Sequence, residues 1–483
     1  VEKYYFFLVK PPMKENLGEA ECVLTHPMFR NVSVDFKVLF VELNGEKQVI
    51  LPYVYEIVDV GRPSDPVNVK LHLVQEYTKS TTVQSFMAAL HQGPSDFGGK
   101  KLPDNFADVE TFTRRLLQSG IWRIDMPQLI EVCLSLMGRP KDLAERELLQ
   151  AIHAYITARG YYFSVETLCN YHICLKTRPF VILAGLSGTG KSKLSQLYAE
   201  ALGHSDRYLR ISVRPNWNDD RYILGYYNAL THEYMTEPAV DRLIEANAHG
   251  DQLYFICLDE MNLAHVEYYF APFLSALEGD REEERIITLL SKRFYQRLLD
   301  QGKQVDVPAQ LTLPSNLLFT GTINVDETTK SISDKVIDRA NTIEFFTVDL
   351  DKIPSKRSTP EPLHVSAEEW LRYRVDERDT SYRQKIVAIN DVLSTGKIGF
   401  GYRVVHEIEM YLANSRGLLD LDTAFDLQVK QRILPRVRGT ESIKGVLDAL
   451  STLLQSYQLP KSVDRLQEMN DRLTEDGYTN FWR

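Results

Sequence analysis

The chain has 483 residues, 44% of them hydrophobic and 25% charged, with a net charge of −10. That length holds two to four domains and a sizeable core. The acidity excludes a binder that presents its whole surface to nucleic acid or membrane, but not a local basic channel. The scattered cysteines Cys22, Cys133, Cys169, Cys174 and Cys257 complete no zinc spacing and are expected to be idle thiols in a reducing cytoplasm. No stretch reaches the length of a membrane span and no signal peptide is visible, so no membrane partner is expected.

Residues 1–80 read as a β-rich domain. YYFFLV, VDFKVLFVEL, QVILPYVYEIVDV and VNVKLHLVQEY carry aromatic and β-branched residues, with turn formers between them. Asn44-Gly45 between two apolar runs predicts a two-residue hairpin. The aromatics are expected in a core more than in a base-binding groove, and Lys and Arg do not cluster there. Residues 81–150 read as a linker followed by a helical connector, the stretch from Ser80 to Asp104 having little periodicity and several glycines and prolines.

Residues 151–349 read as an α/β domain with a parallel sheet. The apolar run Phe180–Ala184 predicts a buried strand. It leads into Gly185-Leu186-Ser187-Gly188-Thr189-Gly190-Lys191-Ser192, which fits the G-x-x-x-x-G-K-[ST] phosphate loop. Leu194, Leu197, Tyr198, Ala201 and Leu202 follow at helical spacing. Glycines let backbone N–H groups turn inward on phosphates, and the helix start adds a positive dipole end. Lys191 is expected on the β- and γ-phosphates and Ser192 on Mg2+, with Gly185, Ser187, Gly188, Thr189 and Gly190 forming the cradle.

Further strands are expected at 207–213, 252–262 and 316–326, then across NTIEFFTV, with a charged insertion from Asp280 to about Pro314. The apolar strand QLYFICL ends in Asp259-Glu260, which predicts a metal-orienting carboxylate, Asp259, and a water-polarising one, Glu260. An acidic helix cap is the bland alternative. Asn324, closing NLLFTGTIN, is expected between the loop strand and the acidic strand, on the γ-phosphate or the attacking water. Asp338-Arg339 follows on a short helix, where an arginine can complete a neighbour's site or simply form a salt bridge. Residues 350–483 read as a helical lid, and Arg403 opens one of its helices, from which it is expected to reach back to the nucleotide.

This order of parts resembles the AAA+ ATPase superfamily. At finer grain it is similar to the McrB family, the motor of modification-dependent restriction systems, through ARGYYFS, LKTRPFVILAGLSGTGKS, SVRPNWNDDRYILGYYN, LDEMNLAHVEYYFAPFLSALE, LPSNLLFTGTINVDETTKSISDKVIDRANTIEF, ILPRVRG and RLQEMNDRLTEDGYTNFW. The resemblance implies a hexameric ring with nucleotide between subunits, a McrC-type nuclease partner and DNA, modified in the family's own systems, as the target. It also implies roles for Lys191, Ser192, Asp259, Glu260 and Asn324 as above, and Arg339 where a trans-acting arginine is expected. The best-known members use GTP. On that family ground GTP is expected slightly ahead of ATP, although Ile323-Asn324-Val325-Asp326-Glu327-Thr328 stands where those members carry Met-Asn-Thr-Ala-Asp-Arg, a departure that narrows the margin. The competing expectation is an ATP-driven, MoxR-like protein-remodelling chaperone whose β-rich domain binds a protein.

Overall fold

The computed structural model describes residues 144–482 apart from 280, 304, 326–329, 347–348, 353 and 355–356. N-terminal to these it describes segments 4–9, 21–25, 36–44, 47–60, 68–77, 81–92, 109–112, 121–124 and residues 114 and 137. The chain divides into two compact units, Val1–Ala144 and Glu145–Arg483.

The first unit is a sheet. Strands β1 (Tyr4–Val9), β2 (Glu21–Thr25), β3 (Lys37–Asn44), β4 (Lys47–Val60), β5 (Asn68–Glu76), β6 (Thr81–Thr82) and β7 (Ile121–Ile124) run in the order β2-β5-β4-β3-β1-β7, with β6 on β4. The β1–β3 pair is parallel. β3 and β4 form the expected antiparallel pair, with Asn44 opposite Lys47; Gly45, like the turn at 61–64, lies outside the described residues. Val38, Leu39, Phe40 and Val41 are consecutive and all buried, so β3 is covered on both faces, as a central strand must be. Tyr5, Phe36, Phe40 and Tyr55 are buried too: these aromatics are core.

Two elements here differ from the expectation. Helix α1 (Val83–Gln92) occupies part of the stretch read as a linker, because Val83, Phe86 and Met87 repeat at helical spacing and are buried. The glycines and prolines that suggested a loop begin only at residue 93. Strand β7 was also not expected; its four residues pair antiparallel with β1. The predicted helix at MPQLIEVCLSLM lies outside the described residues but for Met137.

The second unit opens with α2 (Glu145–Ala158) and α3 (Val165–Thr177), then builds a five-stranded parallel sheet. Its strands are β8 (Phe180–Gly185), β9 (Tyr208–Ser212), β12 (Tyr254–Asp259), β15 (Leu317–Asn324) and β16 (Asn341–Phe345), in the order β16-β8-β15-β12-β9. β8 and β12 are buried at every residue, which explains their unbroken apolar sequence. The chain runs from β8 out to β9, returns through β12 and β15, and places β16 on the far side of β8. The order therefore reverses at β8 and β15, the crevice where open parallel sheets receive ligands.

Between β9 and β12 lie the short helix α5 (Arg221–Leu224), a hairpin of β10 (Gly225–Asn228) and β11 (Glu233–Thr236), and α6 (Pro238–Ala248). After β12 come α7 (Val266–Tyr269) and α8 (Ala271–Ala276). The charged insertion folds as a hairpin of β13 (Ile286–Thr288) and β14 (Gln310–Thr312) carrying α9 (Lys292–Asp300). The single turn α10 (Asp334–Ile337) precedes β16. The C-terminal region is helical as expected: α11 (Ala367–Leu371), α12 (Arg383–Thr395), α13 (Tyr402–Ser415), α14 (Leu421–Gln428), α15 (Lys444–Ser456) and α16 (Pro460–Asp476). A small hairpin of β17 (Arg438–Thr440) and β18 (Tyr478–Asn480) accompanies them. No described helix is long and apolar enough to cross a membrane.

Candidate nucleotide site

The phosphate loop joins β8 to α4 (Lys191–Ala201). Two of its glycines are required by backbone geometry: Gly188 and Gly190 have φ of +79° and +91°. Gly185 is required by space, because a Cβ there would stand 2.1 Å from the Phe345 carbonyl oxygen of the neighbouring strand. Ser187 and Gly188 are exposed, and the Thr189 hydroxyl donates to the Leu186 carbonyl at 2.9 Å. The Lys191 Nζ folds back on the loop, donating to the carbonyls of Gly185 (3.0 Å) and Leu186 (2.5 Å). Burial pulls its ammonium below the ordinary lysine range, against the opposing pull of Asp259 and Glu260. The lysine is thus buried, close to two carboxylates and held by two neutral acceptors that a phosphate can replace.

The acidic pair sits at the C-terminal end of β12, with β15 between it and the loop strand. Asp259 is buried; its Oδ1 accepts from the Thr322 hydroxyl at 2.9 Å and its Oδ2 from Arg210 Nε at 3.1 Å. Glu260 has φ +53° and ψ +46°, a left-handed backbone that is glycine's territory and uncommon for an L-residue. Its N–H donates to Thr322 Oγ1 at 2.9 Å, and its Oε1 accepts from Asn324 Nδ2 at 2.8 Å. Asn262 Nδ2 in turn donates to the Asn324 carbonyl at 3.0 Å. Asn324 ends β15 directly beside Gly185 of β8. Lys191, Asp259, Glu260 and Asn324 therefore converge on the reversal crevice.

Three further contributors belong to none of the motifs read from the sequence. Arg210 reaches Asp259 because β9 pairs with β12 in register, and Thr322 bridges Asp259 and Glu260 from the adjacent strand. Asn262 lies two residues past the acidic pair, in a turn no periodicity marks. Alternation along FTGTIN was the available hint for Thr322, since every second side chain of β15 faces the same way.

For Mg2+ the donor chemistry fits. A hydroxyl from Ser192 and one carboxylate oxygen from Asp259, completed by phosphate and water oxygens, are the hard donors this ion takes. The Arg210 side chain is half exposed, so it can leave that carboxylate. When bound, the ion would neutralise charge on the bridging phosphates. Beside Thr189 a cavity of about 230 Å3 is lined by Tyr162, Phe163, Ser164, Thr167, Glu344 and Phe345. Phe163 meets Phe345 edge-on, with ring centroids 6.2 Å apart.

Arg339 and Arg403 do not join this convergence. Arg339 donates from Nε to the Leu274 carbonyl at 3.0 Å and pairs with Glu278 just past α8; Arg403, in the first turn of α13, lies 3.7 Å from the same carboxylate. Leu277, next to Glu278, accepts from Arg178 Nη1 at 2.5 Å, and Arg178 precedes β8. The two arginines therefore stand toward the N-terminal end of β8, the opposite end from the phosphate loop. The expectation that Arg403 reaches back to its own chain's nucleotide is corrected: the strand's length separates them, and Glu278 collects it with Arg339.

Comparison with known proteins adds one family match and similarities to solved structures, two of which follow. Residues 360–478 match a domain of unknown function (DUF8727). A search of curated proteins finds no match. The crystal structure of a "putative ATPase" from Cytophaga hutchinsonii is similar over 64% of this chain and 92% of its own, at 13% identity and a TM-score of 0.44. Human THYN1 in complex with DNA containing 5-methylcytosine is similar over 29% of this chain and 99% of its own, at 12% identity and a TM-score of 0.21. At such values neither similarity carries a residue or an activity across to this chain.

Proposed function

We propose that this chain is a Mg2+-dependent AAA+ NTPase whose active site is shared between neighbouring copies. The observation that carries the reading is the division of the machinery within one chain. Lys191, Asp259, Glu260 and Asn324 meet at one end of the sheet, while Arg339 and Arg403 wait at the other. An arginine that cannot reach its own chain's phosphates can serve those of the next copy in a head-to-tail ring. Glu260 orients the attacking water, Asn324 holds that carboxylate in place, Lys191 draws charge from the phosphates, and Ser192 with Asp259 holds the ion. The cavity beside Thr189 takes the base.

At finer grain we infer a hexameric motor that acts on DNA together with a McrC-type nuclease, with GTP slightly favoured over ATP. Support for this part is the run of McrB-like segments from 152 onward. The test is turnover of GTP and of ATP by the full chain, alone and with its candidate nuclease partner on modified DNA. Turnover that Lys191→Ala removes by abolishing nucleotide binding supports the NTPase; retained affinity in that variant overturns the loop assignment. Nucleotide-dependent, salt-sensitive DNA binding supports the motor. Its absence, with ATP hydrolysis stimulated by a protein client, points to the remodelling chaperone.

A further inference from the structure

Arg339 sits in a segment too short to define its own shape. α10 is four residues long: the Asp338 and Arg339 N–H groups close back on the Asp334 and Val336 carbonyls, the Arg339 guanidinium takes that of Lys335, and no helical turn follows. One further side chain gathers the carbonyls of Ile337, Asp338 and Ala340. Arg432 is fully buried in a π-helical turn, Val429–Ile433, at the end of α14. Its guanidinium donates to the carbonyls of Ile337 (2.8 Å), Asp338 (3.1 Å) and Ala340, and pairs with the Glu407 carboxylate of α13. These acceptors surround Arg339 on the chain. Four residues on, Arg436 pairs with the Asp338 carboxylate and donates from Nε to the Arg432 carbonyl at 3.0 Å. Arg438 reaches Asp334 at 3.0 Å. Three arginines of the C-terminal region thus hold one stretch, 334–340, which carries Arg339 with its guanidinium on Leu274, Lys335 and Glu278.

We propose that Arg432 and Arg436 are positioning residues for Arg339: the C-terminal region clamps the backbone on either side of it and so fixes where the arginine meets the neighbouring copy's nucleotide. This deepens the reading of Arg339 as a trans-acting arginine and rests on it. The geometry suits the task because a planar guanidinium with several donors can satisfy diverging carbonyls that a lysine's point charge cannot. Bulges of π type recur inside helices at functional sites, and fully buried Arg432 lies within this one.

The test uses the full chain and mixed assemblies. Arg436→Gln removes the partner of Asp338 while leaving buried Arg432 in place. Arg432→Lys keeps the charge and loses the fork. Both are expected to bind nucleotide within about twofold of the parent and to turn it over about tenfold or more slowly, since a full arginine-finger loss costs far more. Each variant is then mixed with equal amounts of Glu260→Gln chains, which hydrolyse slowly but carry an intact Arg339. Turnover well above the sum of the separate components supports the proposal, because the donated arginine rescues the variant's own sound nucleotide site. Arg339→Ala mixed in the same way is the control. Rescue of Arg339→Ala without rescue of Arg436→Gln or Arg432→Lys overturns the positioning role and leaves the trans arginine standing. No rescue of Arg339→Ala overturns the trans arginine, and the positioning role with it. If Arg436→Gln loses nucleotide affinity, Asp338→Asn breaks the same pair from its more exposed side and is read by the same criteria.

Discussion

Glu260 adopts a backbone conformation that costs an L-residue about 1–3 kcal/mol, and three contacts keep it there. Thr322 takes its N–H, Asn324 takes its carboxylate, and Asp259 immediately before it is locked by the same threonine. A carboxylate whose direction is fixed in advance loses little freedom when a water must be aligned. Glu260→Gln is expected to slow turnover by about 10²-fold or more while nucleotide affinity is kept, because general-base action is lost and binding groups are not. Steady-state rates beside equilibrium binding check it; an unchanged rate removes the residue from the mechanism. Thr322→Val deletes both hydrogen bonds at nearly constant volume, leaving a buried acceptor and donor unpaired at about 1–3 kcal/mol. The expected signature is a larger fall in kcat than in affinity, measured on the same preparation.

At the scale of elements, the P-loop helix α4 is tied to its surroundings through Tyr198. Its hydroxyl accepts from Trp370 Nε1 of α11 at 2.8 Å and meets His172 Nδ1 of α3 at 2.5 Å. His172 Nε2 meets Glu145 at 2.8 Å, and Glu145 also pairs with Lys176, which donates to the carbonyls of Tyr373 and Asn414. Burial lowers the imidazole pKa, with the Glu145 hydrogen bond opposing and Lys176 assisting. The unfolded chain therefore binds more protons than the folded one below the ordinary imidazole value of about 6.5, and stability falls as pH falls through that region. Thermal unfolding is expected to begin at lower temperature at pH 5.5 than at 7.5, and His172→Gln to flatten that slope. An equal slope in the variant would place the acid sensitivity elsewhere.

The elements that fold by their own sequence were legible, and those that depend on distant partners were not. β8 and β12 announce themselves through unbroken apolar runs ending in chemistry, and the phosphate loop through its glycines. The hairpin at 225–236 was missed because its four-residue strands are too short for a periodicity to register. Arg210 and Thr322 enter the site through strand register, which no single segment encodes. The place of Arg403 beside Glu278 was equally hidden, because a helix start says nothing about which end of a sheet it will face.

For the whole molecule, the division at Ala144/Glu145 differs from a boundary placed near 150, since α2 begins at Glu145 and its Glu145 carboxylate belongs to the network under the P-loop helix. A fragment spanning 145–483 is expected to fold and to bind nucleotide within a few-fold of the full chain, whereas one starting at 160 loses α2 and with it the partner of His172. Calorimetric melting and nucleotide titration of the two fragments distinguish these outcomes; equal stability would show that α2 is dispensable.

Glu278 holds Arg339 and Arg403 together on one carboxylate. In a solitary copy that one carboxylate already engages both cations, so the group that would serve a neighbour is kept in store at home. Handing it over requires a second chain close enough to offer a more negative destination. Hydrolysis per chain then becomes a property of encounter: specific activity climbs with protein concentration and levels off once every copy has a neighbour.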